Sequence, residues 1–349
     1  MVSSTNNKHY KLYLTLLIII LFASSILCST LGTANISFLE SLQIILHNIP
    51  FISNLISVDS FSSTHTVIIL NIRLPRIILS GIVGMGLSIV GAAFQAMFKN
   101  PMADPYVLGV SSGSALGAAL AIVTGMDNSF SGLGITTLLA FAGAIITTII
   151  VYSIAKVGNK VPINTLLLSG ISVSFLLSSL ISLLMVFNRE SIEKIIFWTM
   201  GSVSTASWNQ VIMLSIFVII GLLIFMIFSR DLNIMLTGDE TAKSLGIEVE
   251  NLKKITLIIS SLVVAACVSV SGVIGFVGLI IPHIIRILLG PDHRILIPFS
   301  AVGGALFMIL SDTLARTLAS PAEIPVGAIT SVIGAPYFIY LLIKNKRKV

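Results

Sequence analysis

Long apolar runs alternate with short polar segments along the whole chain. Most of these runs contain about 20 residues, the length that an α-helix needs to cross the hydrocarbon core of a bilayer. The run at 276–289 is shorter. The pattern predicts ten transmembrane helices, at 12–31, 74–98, 105–124, 134–155, 162–187, 209–229, 255–274, 276–289, 295–316 and 325–343.

The composition also indicates a membrane protein. Hydrophobic residues make up 56% of the 349 residues and charged residues only 10%, whereas about 25% of the residues in a soluble globular protein are charged. This balance excludes a disordered chain, a coiled coil and a nucleic-acid-binding protein, in spite of the net charge of +6. We expect an all-α, polytopic protein of the cell membrane, with residues 1–349 forming one transmembrane domain in the lipid bilayer.

The basic residues predict the orientation of the chain. With the N-terminus in the cytoplasm, fifteen of the 20 lysines and arginines fall on the cytoplasmic side, as the positive-inside rule requires. Both termini are therefore expected to be cytoplasmic. The longest polar segments are then an external one, 32–70, and a cytoplasmic one, 230–254. The five basic residues left outside are Arg73, Arg76, Arg189, Lys194 and Arg316.

Three segments carry further predictions. Residues 36–49 are amphipathic and are expected to lie along the membrane surface. Residues 188–202 predict a small external helix with Trp198 near the interface. Residues 12–31 are similar to a lipoprotein signal that ends at Cys28, but Leu27 stands where such a site needs a small residue. We therefore interpret this run as an uncleaved first span.

A weak internal repeat relates the two halves of the chain. Ser88 and Gly91 are followed by Pro101, and Ser269 and a glycine at 272 are followed by a proline at 282 with the same spacing. The predicted topology places the two copies in opposite orientations. Inverted repeats of this kind are typical of transporters built around a central pathway.

Sequence motifs for chemistry are missing. The chain contains no G-x-x-x-x-G-K-[ST] phosphate-binding loop, no H-E-x-x-H, no C-x-x-C and no G-x-S-x-G nucleophile elbow. Cys28 and Cys267 are too far apart to suggest a metal cluster, and we expect neither a metal nor a cofactor. The acids Asp104, Asp312 and Glu323 lie near span ends, which argues against ion coupling. Energy is therefore expected from a separate subunit.

Five stretches together resemble the permease family of binding-protein-dependent ABC importers for iron–siderophore complexes, haem and cobalamin. They are RLPR at 73–76, FKNPMADPYVLGVSSGSALGA at 98–118, GDETAKSLGI at 238–247, and the segments 271–294 and 311–342. The resemblance implies a fold like that of the cobalamin importer permease. It also implies two permease subunits, identical or related, with two cytoplasmic ATPase subunits, an external binding protein and a metal-chelate cargo.

The resemblance assigns roles to two groups of residues. Arg73, Arg76 and Arg316 match positions that dock carboxylates of the binding protein, a task that suits the guanidinium fork; snorkelling to lipid headgroups is the alternative. The cytoplasmic segment is expected to form a helix capped at Thr237 and stopped by a glycine, which couples to the ATPase. Its residues are Gly238, Asp239, Glu240, Ala242, Leu245 and Gly246.

Two further features have open interpretations. The segment NPMADP at 100–105 is a tight turn that could also support an inner gate. Ser169, Ser172 and Ser179 fall near one helical face and either line the pathway or allow close helix packing. The leading interpretation is a permease that imports an iron(III)–siderophore or similar chelate. Haem, cobalamin or oxyanion import, an ion-coupled secondary carrier or exporter, and a membrane scaffold or enzyme are the alternatives.

Overall fold

The computed structural model describes residues 4–32, 34, 36–48, 62–126, 129–130, 133–158 and 160–346. Part of the predicted external segment, 49–61, and the basic residues Arg347 and Lys348 lie outside the described residues.

Helices account for nearly all of the described secondary structure, so the predicted all-α class is confirmed. A two-residue strand, β1 (Ser129–Phe130), pairs antiparallel with β2 (Leu133–Gly134). The helices are α1 (Ser4–Thr30), α2 (Phe38–His47), α3 (Ser63–Val67), α4 (Leu74–Met97), α5 (Val110–Val123), α6 (Ile135–Ala155), α7 (Ile163–Phe187), α8 (Ile192–Thr199), α9 (Trp208–Ile227), α10 (Ser229–Met235), α11 (Asp239–Ser244), α12 (Val249–Ser271), α13 (Val277–Leu289), α14 (His293–Thr317) and α15 (Val326–Lys346).

Each of the ten predicted runs corresponds to one helix in the described chain: α1, α4, α5, α6, α7, α9, α12, α13, α14 and α15. Among the residues that the structure describes, seven helical stretches have the length and apolarity needed to cross a membrane. The runs at α5 and α13 give shorter helices, of 14 and 13 residues. The protein is thus a polytopic helical membrane protein.

Two predicted spans have different starting points in the structure. The run at 105–124 is wrong at its beginning, because Pro105–Leu108 forms a 3₁₀ turn and Gly109 adopts a left-handed φ of 74° before α5 starts. The run at 74–98 starts too late, since α3 and a π-helical turn at Ile68–Arg73 lead into α4 without a break. A π-turn widens the helix by one residue and is common at functional sites.

Two short helices correspond to the amphipathic segment 36–49 and to the small helix predicted at 188–202. The hydroxyl of Ser37 accepts a hydrogen bond from the Glu40 N–H and caps α2. Ser41 on α2 is hydrogen-bonded to Ser29 of α1 at 2.6 Å, which fixes α2 against the end of the first span. The predicted helix at 188–202 is α8, preceded by a 3₁₀ turn. Their position relative to lipid stays a prediction.

The centre of the fold is α4, which is buried along most of its length by α9, α12, α13 and α14. Close approach depends on facing glycines. An added Cβ at Gly84 would overlap the carbonyl oxygen of Gly304, and one at Gly91 would overlap that of Gly278. Small residues permit this backbone contact between membrane helices.

Two series of four helices are partly similar in length, while the opposite orientation of the two copies stays a prediction. The series α4, α5, α6, α7 has 24, 14, 21 and 25 residues, and the series α12, α13, α14, α15 has 23, 13, 25 and 21. The residue correspondence predicted for the repeat is wrong, however. Gly91 lies inside α4, whereas Gly272 adopts a φ of 65° at the end of α12 and Pro282 lies inside α13. The two motifs therefore occupy different local conformations.

Candidate functional site

The three predicted docking arginines come together at the outer ends of α4 and α14. Arg73 lies at the end of the π-turn and donates hydrogen bonds to the carbonyls of Ser29 at 2.7 Å, Thr30 at 3.0 Å and Ala34 at 2.7 Å. Carbonyls at a helix C-terminus lack intrahelical partners. The guanidinium of Arg73 therefore caps α1 and holds the following segment.

Arg76 is the centre of a buried ion-pair network. Its Nε and Nη2 donate to the carboxylate of Asp312 on α14 at 2.9–3.1 Å. Its Nη1 donates to both carboxylate oxygens of Glu323, at 2.9 and 3.0 Å. Asp312 is only 1% exposed, while the side chain of Glu323 is 45% exposed. The network joins α4 to α14 and to the segment before α15.

Arg316 completes the cluster one turn after Asp312. Its Nη2 donates to the carbonyl of Cys28 at the end of α1, and its buried Nε has no hydrogen-bond partner among the described residues. The three arginines and Glu323 line one cavity of about 270 Å³. Three guanidinium groups against the carboxylates of Asp312 and Glu323 leave one excess positive charge there.

The arginines are less accessible than the sequence suggests, with only 4% of Arg73 and 6% each of Arg76 and Arg316 exposed. Their guanidinium groups contact carbonyls and carboxylates of the chain itself. Snorkelling of the side chains to lipid headgroups therefore does not explain where the three arginines lie. They also do not form a partially exposed surface patch. The docking role stays a prediction.

The cytoplasmic segment is a series of short helices rather than a loop. Between α10 and α12, Gly238 with a φ of 127° precedes α11, and Gly246 with a φ of 84° ends it. The Ile247 N–H donates to the Ala242 carbonyl and the Gly246 N–H to the Lys243 carbonyl, each at 3.0 Å. This is a Schellman ending, so the predicted glycine stop is confirmed.

The predicted cap at Thr237 is wrong. Its hydroxyl donates instead to the Ile234 carbonyl at 2.8 Å, because the chain is still completing the turn after α10. Within α11, Ala242 is fully buried and Glu240 is exposed; directly after it, Leu245 is 62% exposed and Gly246 is also exposed. The helix therefore ends in an exposed apolar tip and has a base that packs against the protein.

Asp239 is partly buried and pairs with two lysines of the protein. The Lys99 ammonium lies 2.6 Å from its Oδ1, and that of Lys253 lies 2.7 Å from its Oδ2. Partial burial alone would raise the pKa of Asp239, but hydrogen bonds and Coulombic attraction from Lys253 and Lys99 outweigh that effect and lower it. Both lysines were missed in the sequence, where nothing links them to position 239.

A second missed network joins α10 to the start of α14. The side-chain amide of Asn233 donates to Asp292 Oδ1 at 2.7 Å, and its oxygen accepts the His293 N–H at 2.9 Å. Asp292 also caps α14 through the Arg294 N–H. Desolvation opposes ionisation of Asp292, but hydrogen bonds from Arg294 and Asn233 lower its pKa to about 2. These hydrogen bonds tie α10, which precedes α11, to the start of the long helix α14.

The NPMADP segment forms the turn that the prolines predict. Asn100 Oδ1 accepts the Met102 N–H at 2.9 Å, and Asp104 Oδ1 accepts the Tyr106 N–H at 2.7 Å. The hydroxyl of Tyr106 donates to the Ile274 carbonyl at 2.9 Å. Burial raises the pKa of Asp104 to about 6, although the hydrogen bond from Tyr106 opposes this shift. These contacts support the structural interpretation of the turn.

The three predicted pathway serines are not brought into one cavity. Ser169 is buried in the protein, and Ser172 and Ser179 are exposed along α7. A cavity of about 340 Å³ lies beside them between α5, α7 and α8. Its hydroxyl-bearing lining residues are Ser111, Ser112, Ser178, Ser182 and Thr199. The four-residue spacing of Ser178 and Ser182 on α7 was the available sequence signal for this cavity.

The described chain is a polytopic helical membrane protein, with a buried arginine cluster near the start of α4 and the short helix α11 paired to Lys99 just after its end. The chain belongs to the FecCD transport family, whose model matches residues 16–344. It is therefore a permease subunit of a binding-protein-dependent ABC importer in the cell membrane. Subunits of this class are transport components rather than enzymes.

Individual relatives agree with this assignment. The chain is 45% identical to a cobalamin import system permease of Halobacterium salinarum over 80% of this chain and 74% of the relative. It is 36% identical to an Fe(3+)-citrate import system permease of Bacillus subtilis over 98% and 97% of the two chains. A metal-chelate-type ABC transporter in an inward-facing conformation superposes with a TM-score of 0.81 at 32% identity, covering 95% of this chain and 99% of that one.

Proposed function

We propose that the chain carries an iron(III)–siderophore or similar metal chelate. In this proposal it pairs with a second permease subunit, identical or related, and works with two cytoplasmic ATPase subunits and an external binding protein. The observation that carries the proposal is α11, a short helix with an exposed apolar tip and a base fixed by ion pairs. The names of the similar permeases, which include Fe(3+)-citrate and iron(3+)-hydroxamate import, support the cargo class.

The ATPase contact is proposed for the exposed part of α11. Leu245 supplies apolar surface, and Glu240 and Gly246 lie beside it on the cytoplasmic side. Ala242 anchors the helix from the opposite side. An exposed leucine on a rigid helix fits a groove in a partner protein, where one well-buried apolar side chain contributes a large share of the binding energy.

The binding protein is proposed to dock over the cavity of Arg73, Arg76 and Arg316. The excess positive charge and the unpaired Nε of Arg316 favour a carboxylate from the partner. Because the guanidinium groups are recessed, that carboxylate would have to enter the cavity. Of the two acids that pair with Arg76, Glu323 is the more exposed one.

The second permease subunit is proposed to cover the exposed side of α7, where Ser172 and Ser179 alternate with large apolar residues such as Phe175. Ser169 then lies behind this surface and supports packing. The neighbouring hydroxyl-lined cavity would border the pathway. A weakly polar wall suits a bulky chelate, because it offers hydrogen bonds without a strong binding site.

Uptake by a deletion strain tests the cargo. The strain should lose uptake of one of four probes, iron(III)–hydroxamate, iron(III)–citrate, haem or cobalamin, and recover it with the cloned gene. Loss of an iron(III) chelate supports the proposal. Loss of haem or cobalamin alone would replace the cargo while keeping the permease role. Undiminished uptake of all four, with molybdate uptake lost instead, would refute metal-chelate import.

A further inference from the structure

Asp239 differs from its exposed neighbours on α11 because both of its carboxylate oxygens are already engaged. Lys99 occupies Oδ1 and Lys253 occupies Oδ2, at 2.6 and 2.7 Å. Glu240 and Thr241, which follow it, are exposed. A carboxylate with two ammonium partners from its own chain is poorly placed to bind another protein. Its role lies within the permease.

The two lysines come from different parts of the fold. Lys99 follows the end of α4, while Lys253 lies in the second turn of α12 with only 8% of its side chain exposed. Glu250 lies 3.5 Å from the same ammonium and accepts the Val161 N–H at 3.3 Å, in the connection between α6 and α7. Asp239 therefore ties α11 to the end of α4 and to α12. Through Lys253 and Glu250 it is also linked to the segment between α6 and α7.

Lys99 is positioned by the ending of α4. Its φ of 50° is left-handed, which is common for the residue that follows the last turn of a helix. The Lys99 N–H donates to the Ala96 carbonyl at 3.1 Å and the Asn100 N–H to the Gln95 carbonyl at 3.2 Å. This backbone ending fixes the residue whose ammonium pairs with Asp239.

The helix that ends at Lys99 begins at the opposite side of the protein. Arg76, which lines the outer arginine cavity, lies in the first turn of α4, and 20 of the 24 residues of α4 are buried against other helices. A helix packed in this way moves as a unit, because a close-packed interior transmits displacement rather than absorbing it. A displacement of α11 would therefore be transmitted from Lys99 through α4 to the arginine cavity.

We propose that Asp239, Lys99 and Lys253 form a clamp that makes α11 move together with α4 and α12. Asp239 is a positioning residue in this clamp and does not contact the ATPase. The inference rests on the proposed function, in which α11 receives the ATPase. It adds that the same ion pairs carry the signal of a docked binding protein from the outer face to the ATPase.

The test uses the permease–ATPase complex in proteoliposomes and measures the ratio of ATP hydrolysis with and without the binding protein. This ratio requires no knowledge of the cargo. Asp239→Asn keeps the shape of the side chain but removes its charge, and we expect the stimulation ratio to fall by about fivefold or more. Asp239→Glu retains the charge and should restore part of the ratio. Lys99→Met combined with Asp239→Asn should lower it no further than Asp239→Asn alone, since Asp239→Asn already removes the ion pair with Lys99.

Glu248→Gln is the matched control. Glu248 is an exposed carboxylate in the same cytoplasmic segment, and its side chain makes no hydrogen bond or ion pair within the described part of the chain. An unchanged stimulation ratio in Asp239→Asn would overturn the clamp. So would loss of the ATPase from the purified Asp239→Asn complex, because that result would assign Asp239 to the ATPase contact.

Leu245→Glu separates the clamp from the proposed function. If α11 receives the ATPase, this change should weaken co-purification of the ATPase subunit. Normal co-purification would refute the role of α11 itself, whatever the Asp239 variants show. Weakened co-purification together with a silent Asp239→Asn would refute the clamp alone.

Discussion

The ion pair between Arg76 and Asp312 gives the most direct prediction about stability. Arg76→Met removes the guanidinium but keeps most of the volume, and it leaves the carboxylate of Asp312 buried at 1% exposure. Removing one partner of a buried ion pair costs about 3–5 kcal/mol, because the remaining charge is desolvated without compensation. Arg316, one turn further along α14, also attracts Asp312. We therefore expect a loss at the lower end, about 3 kcal/mol.

The same network contains a matched control. Glu323 also pairs with Arg76, but its side chain is 45% exposed. An exposed ion pair contributes about 0–1 kcal/mol, so Glu323→Gln should have little effect on the free energy of unfolding. The double variant Arg76→Met/Asp312→Leu removes both buried charges. It should recover most of the lost stability, because apolar replacement of a buried pair is often neutral.

Reversible unfolding of the purified permease in bicelles measures these differences. The account predicts that Arg76→Met is strongly destabilised, that Glu323→Gln resembles the wild type, and that the double variant lies near it. Equal stability of Arg76→Met and Glu323→Gln would refute the reasoning, since burial would then not determine the value of the pair. A double variant less stable than Arg76→Met would refute it as well.

Three further results are expected. Gly91→Ala should destabilise the bundle by about 1–3 kcal/mol through overpacking against α13, measured by thermal unfolding, whereas Gly275→Ala, where an added Cβ meets open space, should not. Burial raises the pKa of Asp104 in the folded protein to about 6. The stability contributed by its protonation is therefore fully present below the ordinary pKa of about 3.8 and is lost as the pH rises through 6. Asp104→Asn should therefore raise the unfolding temperature at pH 7.5 relative to the wild type and change it little at pH 4; the reverse order would contradict the shift. Arg316→Met should weaken binding of the external protein by about 2 kcal/mol or more and reduce the salt dependence of its affinity, whereas equal affinity in a correctly assembled complex would contradict docking at the arginine cavity.

The sequence predicted the helices well because lipid leaves few alternatives. A long apolar run must satisfy its backbone hydrogen bonds internally, so each run produced a helix. Errors arose where local chemistry competes with hydropathy. Gly109 and Pro105 delay α5, and the segment before position 74 continues the helix through a π-turn.

The sites were harder to predict, because their partners are distant in the sequence. Asp312 and Glu323 lie 236 and 247 positions from Arg76, and Asp239 lies 140 positions from Lys99. Periodicity identifies which side of a helix is apolar, but it does not identify which helix lies opposite. The sequence therefore located the arginines and the segment 230–254, while the contacts that bury the arginines and pair Asp239 with two lysines required the fold.

ATP dependence of transport tests the central claim most directly. The permease, reconstituted in proteoliposomes with its ATPase and binding protein, is assayed for uptake of iron-55 as an iron(III)–hydroxamate or iron(III)–citrate complex. The account predicts uptake that requires ATP and the binding protein and is unaffected by collapse of proton and sodium gradients. Uptake that proceeds without ATP and stops when those gradients are collapsed would contradict it.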